Sequence, residues 1–154
     1  MFFVSTSGGT VKGPDGDGYG QLWHYIPGDS ELQAGDELVL VFESSSGRVL
    51  ESPDNICLTP NGGLIFCEDD AVGGEGAADT HPLAPGVGSI NRMIGLGPKG
   101  EAFPLALNVF SDSEFAGACF SPDGEVLFVN IQGEDEAGAG MSIAIWGPWE
   151  RGPL

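Results

Sequence analysis

Apolar residues along this chain fall in short runs separated by glycine, proline, asparagine and aspartate, a spacing that belongs to strands and turns. Phe2-Phe3-Val4 and Gln21-Leu22-Trp23-His24-Tyr25 come first, followed by Leu38-Val39-Leu40-Val41-Phe42 leading to Val49-Leu50. Ile56-Cys57-Leu58, Leu64-Ile65-Phe66-Cys67, Arg92-Met93-Ile94-Gly95-Leu96 and Ala102-Phe103-Pro104-Leu105 continue the series. Val126-Leu127-Phe128-Val129 and Met141-Ser142-Ile143-Ala144-Ile145-Trp146 complete it, for roughly nine or ten short strands. Residues 64–67 and 126–129 are apolar at consecutive positions, so both faces of these strands need cover. In an all-β chain that means sheets stacked face to face, once in a sandwich and repeatedly, blade against blade, in a propeller.

A repeat favours the modular arrangement. Thr59-Pro60-Asn61-Gly62 corresponds to Ser121-Pro122-Asp123-Gly124, and Cys57 to Cys119, 62 residues further on. Asn-Gly and Asp-Gly tolerate the positive φ of tight hairpin turns, which fixes each copy as strand, turn, strand. The offset exceeds one blade of about 40–50 residues. Residues 70–90, rich in Gly, Ala, Asp and Pro, account for the excess as a surface insertion within a single partial propeller domain spanning 1–154.

Twenty-six Gly and eleven Pro scattered between the apolar runs strengthen the turn-rich picture and leave little room for helix. Twenty-three acidic residues against five Lys plus Arg give a formal net charge of -18, which disfavours nucleic acid as a partner. Such a surface serves solubility, saline surroundings or divalent cations, and only the placement of the carboxylates can separate these. No apolar run spans a bilayer, and Met1-Phe2-Phe3-Val4-Ser5-Thr6 has no basic and long apolar export signal.

Cys57, Cys67 and Cys119 lack zinc-site spacing and sit in apolar strands, as buried free thiols do; a Cys57–Cys67 cross-strand disulfide is the alternative. Asp15-Gly16-Asp17-Gly18 lacks the later ligands of a calcium loop and reads as a turn. His24 and His81 have no evident Ser or Cys partner, and no nucleotide-binding fingerprint occurs, so no catalytic residue is assigned.

The carboxylates at strand ends carry the remaining chemistry. Asp54 and Asn55 stand where β structure begins, stiffened by Pro53, either as oxygen donors at a strand mouth or as an Asx turn. Glu68 and Asp69 follow the second strand of the same hairpin, where solvent or a cation relieves their repulsion. Glu114 precedes the second copy much as residues 52–54 precede the first, followed by small Ala116-Gly117-Ala118 that let neighbouring backbone approach. Oxygens gathered from separate strands suit Ca²⁺ better than Mg²⁺, because the cage is adaptable.

Gly20-Gln21-Leu22-Trp23, Pro53-Asp54-Asn55-Ile56, Gly63–Asp69, Gly95-Leu96-Gly97-Pro98-Lys99-Gly100, Glu114-Phe115-Ala116-Gly117, Phe120–Gly124 and the closing Trp146-Gly147-Pro148-Trp149 together resemble the C-terminal part of the PhoX family of secreted alkaline phosphatases. The resemblance implies about two to three blades of a six-bladed propeller. The complete protein is then exported to the periplasm or beyond and hydrolyses phosphomonoesters at a site holding Ca²⁺ and Fe³⁺. Asp54 is the foremost candidate Ca²⁺ ligand, with Glu68, Asp69 and Glu114 behind it, while the iron ligands are expected in upstream blades. Two alternatives compete with that function. One is a non-catalytic module that binds Ca²⁺ or self-associates through exposed blade faces; the other is a calcium-dependent propeller lactonase.

Overall fold

A computed structural model describes residues 2–6, 8–10, 18–28, 35–69, 91–111, 113–133 and 140–154. The expected insertion at 70–90, His81 and the Asp15–Asp17 segment lie outside the described residues. The chain is all-β, with ten strands and one 3-10 turn among the described residues. The first seven strands are β1 (Phe2–Thr6), β2 (Gln21–Ile26), β3 (Glu37–Glu43), β4 (Pro53–Leu58), β5 (Leu64–Glu68), β6 (Arg92–Leu96) and β7 (Ala102–Leu107). They are followed by β8 (Phe115–Phe120), β9 (Val126–Ile131), β10 (Met141–Trp146) and the 3-10 turn Trp149–Arg151.

Strands pair with their sequence neighbours in three antiparallel sheets, β1-β2-β3, β4-β5-β6-β7 and β8-β9-β10. The first strands of the sheets adjoin, β4 lying near both β1 and β8, and β5 also near β8. Side chains of the middle sheet then divide by the two-residue period of a strand. Ile65, Cys67 and Met93 join Phe115, Leu127, Val129 and Ile131 in a core shared with the third sheet. Leu64, Phe66, Ile94 and Leu96 join Leu22 and Leu50 in a second core toward the first sheet. Every residue of β5 and β6 is buried, so the expected cover on both faces is present there. Each large side chain taken wholly from water contributes about 1.5–3 kcal/mol.

Both hairpin turns form as their sequences require: Gly62 has φ +84° and Gly124 φ +75°, with Gly62 N donating to Thr59 O and Gly124 N to Ser121 O. They differ in length. Leu58 pairs with Leu64, so residues 59–63 separate that pair, whereas Phe120 pairs with Leu127, so residues 121–126 separate theirs. One extra residue slips the sequence alignment by one, so Phe128 pairs with Cys119 as Ile65 pairs with Cys57, and Val129 takes the place of Phe66. Leu127 and Val129 consequently face the core, and Phe128, the counterpart of buried Phe66, is 44% exposed. The expectation that both faces of residues 126–129 are covered is corrected to one face. Cys119, paired with Phe128, shares the uncovered face and is exposed, so the expectation of three buried thiols holds for Cys57 and Cys67 only.

Candidate functional site

The antiparallel course of the sheets gathers strand ends. β4 begins and β5 finishes at one end of their hairpin, opposite the turn at 59–63. Ser52, with φ +45°, leads into this end; its N–H donates to Tyr19 O and its carbonyl accepts from Asp69 N at 2.9 Å. A non-glycine residue in the left-handed region needs such fixing, since the conformation costs about 1–2 kcal/mol.

Asp54 is exposed, and its Oδ2 accepts a hydrogen bond from Asn55 Nδ2 at 2.6 Å. Asn55 reaches further: its Oδ1 accepts from Gly117 N at 2.9 Å, linking the second sheet to the third. Gly117 has φ +62° at an irregularity in β8, between Ala116 and Cys119, that turns backbone donors away from the ladder. The Ala118 backbone hydrogen-bonds Cys67 from the same stretch. Small residues at 116–118 thus permit the close approach expected of them.

Glu114 precedes β8, and its carbonyl accepts from Gln132 N at 3.0 Å. Glu114 and Asp54 both lie within electrostatic reach of the Cys67 thiol, which burial, foremost, pushes up to about 12. Burial likewise pushes the Cys57 thiol up. Cys57 pairs with Ile65 and Cys67 with Asn55, so the thiols are diagonal neighbours and not a directly opposed pair, and both are free. Asp69 is exposed one residue beyond β5.

Glu68 is held differently. The side chain is 0% exposed, its Oε2 accepting from Arg92 Nε at 2.6 Å and its Oε1 from Arg92 Nη2 at 2.6 Å and Glu51 N at 2.8 Å. Arg92 also donates to the carbonyls of Gly47 and Arg48, at 2.6 and 3.1 Å, so the pair fastens residues 47–51 to the second sheet. Burial pushes the Glu68 carboxyl above its ordinary range, and Arg92 pulls against that shift. Sequence reasoning passed over Arg92. Its signal was a cation opening a strand that is apolar on both faces, a position that demands a buried carboxylate partner.

Asp54, Asp69 and Glu114 therefore supply carboxylates at strand ends, whereas both Glu68 oxygens are already engaged. Among the described residues, no three His, Cys, Asp or Glu side chains stand close enough to hold a metal ion. Carboxylate oxygens are the donor type that Ca²⁺ takes, and both oxygens of Glu68 are already occupied by Arg92 and Glu51 N. No helix among the described residues is long and apolar enough to cross a membrane.

Three antiparallel sheets that adjoin through β1, β4 and β8, with carboxylates at several strand ends, define an all-β protein. The family model for alkaline phosphatase PhoX matches residues 1–135, and the chain belongs to this family. No curated protein and no solved structure matches the chain. The matched span contains Asp54, Glu68, Asp69 and Glu114 and stops before Trp146-Gly147-Pro148-Trp149, which therefore adds nothing to the match.

Proposed function

We propose that this chain forms part of a phosphomonoesterase of the PhoX type, its three sheets being successive blades of a six-bladed propeller. The serial approach of β1, β4 and β8 supports that arrangement, since propeller blades stack through neighbouring inner strands. The family match over residues 1–135 carries the functional reading. Asp54 and Glu114 contribute oxygens to a Ca²⁺ site at the strand mouths, with Asp69 close by in the chain to the same end. Asn55 orients the Asp54 carboxylate and, through Gly117, fixes its distance from the third sheet. Bound Ca²⁺ and Fe³⁺ supply the charge that polarises a phosphoryl group and activates an oxygen nucleophile. Remaining ligands come from blades other than these, and the complete protein works outside the cytoplasm, as its family's secreted character suggests.

The test compares this chain with a version extended by its upstream genomic sequence, assayed on a phosphomonoester and a lactone with added Ca²⁺ and Fe³⁺. Phosphomonoester hydrolysis by the extended protein is expected. Asp54→Ala in that protein lowers Ca²⁺ affinity by about tenfold or more, with the fold retained. Absence of phosphatase activity from the extended protein defeats the enzymatic proposal, and unchanged calcium binding in calorimetry returns Asp54 to the role of a turn cap.

A further inference from the structure

The third sheet approaches the second through β8, which lies against β4 and β5, the first two strands of a sheet of four. The row Cys57, Ile65, Gly95 and Phe103 crosses all four strands on the face turned toward the third sheet. Its far half, on β6 and β7, is met by residues 147–154, which leave β10 and join no strand.

Leu154 anchors this segment. The residue is 4% exposed, and a Cβ at Gly95 would lie 3.2 Å from its Cδ2, so the glycine leaves a socket in the row between Ile65 and Phe103. At Gly63 a Cβ would lie 2.9 Å from Pro153 O, so a second glycine admits the backbone beside the anchor. Hydrogen bonds across long sequence separations fasten the remainder. Asn61 Nδ2 donates to the carbonyls of Trp149 and Leu154 at 2.9 and 2.6 Å, and Trp149 Nε1 donates to Glu125 O at 2.9 Å. The Trp149 ring also stands edge-on to Phe120, the last residue of β8, with centroids 5.3 Å apart.

Two features set this attachment apart from the sheets it joins. No residue of 147–154 takes part in a β-ladder, so the segment can leave without breaking a strand pair. A cavity of about 280 Å³ also remains between it and β7, lined by Phe103, Leu105, Trp149 and Leu154 among others, so fewer contacts hold it there than hold a packed core.

We propose that residues 147–154 form a detachable clasp. Closed, with Leu154 in the Gly95 socket, it locks the third sheet to the second; open, it uncovers the face of β6 and β7 while all three sheets stay folded. The clasp holds β8 at Phe120, whereas Asn55 holds the same strand at Gly117, so the two together fix β8 at separate points. This device is independent of the phosphatase reading, since residues 147–154 fall outside the matched span.

Thiol labelling of the full chain tests the clasp. In a Cys119→Ser background, Leu154→Cys places a small apolar reporter in the socket, while Cys57 and Cys67 report opening of the sheets. Labelling at position 154 is expected to run about tenfold or more slower than in the urea-unfolded chain, and to change little at low urea, because local opening exposes little surface. Cys57 and Cys67 react only through global unfolding, with its steep urea dependence. Asn61→Asp keeps a residue suited to the turn before Gly62 but removes both bonds donated to the clasp. It speeds labelling at position 154 about tenfold and leaves Cys57 and Cys67 protected. Far-UV circular dichroism confirms the fold of each variant. The proposal is overturned by labelling at position 154 as fast as in the unfolded chain, by a urea dependence there as steep as that of Cys57 and Cys67, or by an unchanged rate in Asn61→Asp.

Discussion

Replacing Arg92 by methionine separates a load carried by burial from one carried by charge. Methionine fills most of the arginine stem's volume and removes the guanidinium, leaving the 0% exposed Glu68 carboxylate with Glu51 N as its remaining donor. Breaking a buried ion pair from one side costs about 3–5 kcal/mol. The carbonyls of Gly47 and Arg48 lose their donors as well, for about 1 kcal/mol each where water cannot reach them. The sum is a large fraction of the roughly 5–15 kcal/mol that holds a domain folded. Urea denaturation followed by tryptophan fluorescence measures it.

The sign of the pH effect follows from Glu68, whose carboxyl is already raised in the fold, chiefly by burial. Losing Arg92 raises it further, so the folded state holds the proton more tightly than the unfolded chain. Arg92→Met therefore regains stability as pH falls toward the ordinary glutamate range, by about 1.4 kcal/mol for each unit of added shift. Glu68→Gln in the same background removes the stranded charge and keeps an acceptor for Glu51 N. The double variant must be more stable than Arg92→Met near neutral pH. A loss below about 1 kcal/mol in the single variant, or equal stability of single and double, would refute the argument that this pair fastens residues 47–51.

Thiol accessibility gives a second check: an aromatic disulfide reagent modifies Cys119 in the native protein, while Cys57 and Cys67 react only on unfolding. Cys119→Ser removes the native-state reaction, and a rapid residual reaction would contradict the burial of the other two. A third concerns Asp123, whose carboxyl is held below the usual range by its hydrogen bond from Ser121 and then by Glu125 N. Its stabilisation is present above the ordinary aspartate pKa and is lost as pH falls through the lower folded value. The stability difference between wild type and Asp123→Asn therefore shrinks on acidification, measured in parallel urea titrations; a widening difference reverses the sign.

The strand pattern, both glycine turns and the doubly covered β5 were legible because each depends on local chemistry: apolar runs, Asn-Gly and Asp-Gly. The orientation of β9 was not. Aligning Thr59-Pro60-Asn61-Gly62 with Ser121-Pro122-Asp123-Gly124 places Phe128 on Phe66, but the extra residue between Phe120 and Leu127 slips that alignment by one, so Phe128 stands in the place of Ile65. The identical turn signatures conceal that slip. Cys119 lies before that slip and is exposed for another reason: Cys57 faces the third sheet, whereas Cys119 occupies a face that no described sheet covers. Arg92 was missed because its partner Glu68 is 24 residues away, across the long segment that separates β5 from β6.

The contrast between Glu68 and Asp69 shows how finely the candidate site depends on where a strand stops. Glu68 is the last residue of β5, so the strand's alternation and burial govern its side chain, and enclosed in that way it must find a cation within the protein. Asp69 lies one residue later, its N–H taken by Ser52 O and its side chain in solvent. The same rule operates where β4 begins: Pro53 is buried and Asp54 exposed, while Asn55 points its amide toward both Asp54 and the third sheet. Two adjacent carboxylates and a neighbouring amide thus take three separate tasks, an internal ion pair, a solvent-facing charge and an inter-sheet tie. Composition cannot separate these tasks. Register can, and it leaves Asp54 facing solvent beside a backbone that Asn55 ties to the third sheet, the solvent-facing placement that the proposed role of Asp54 requires.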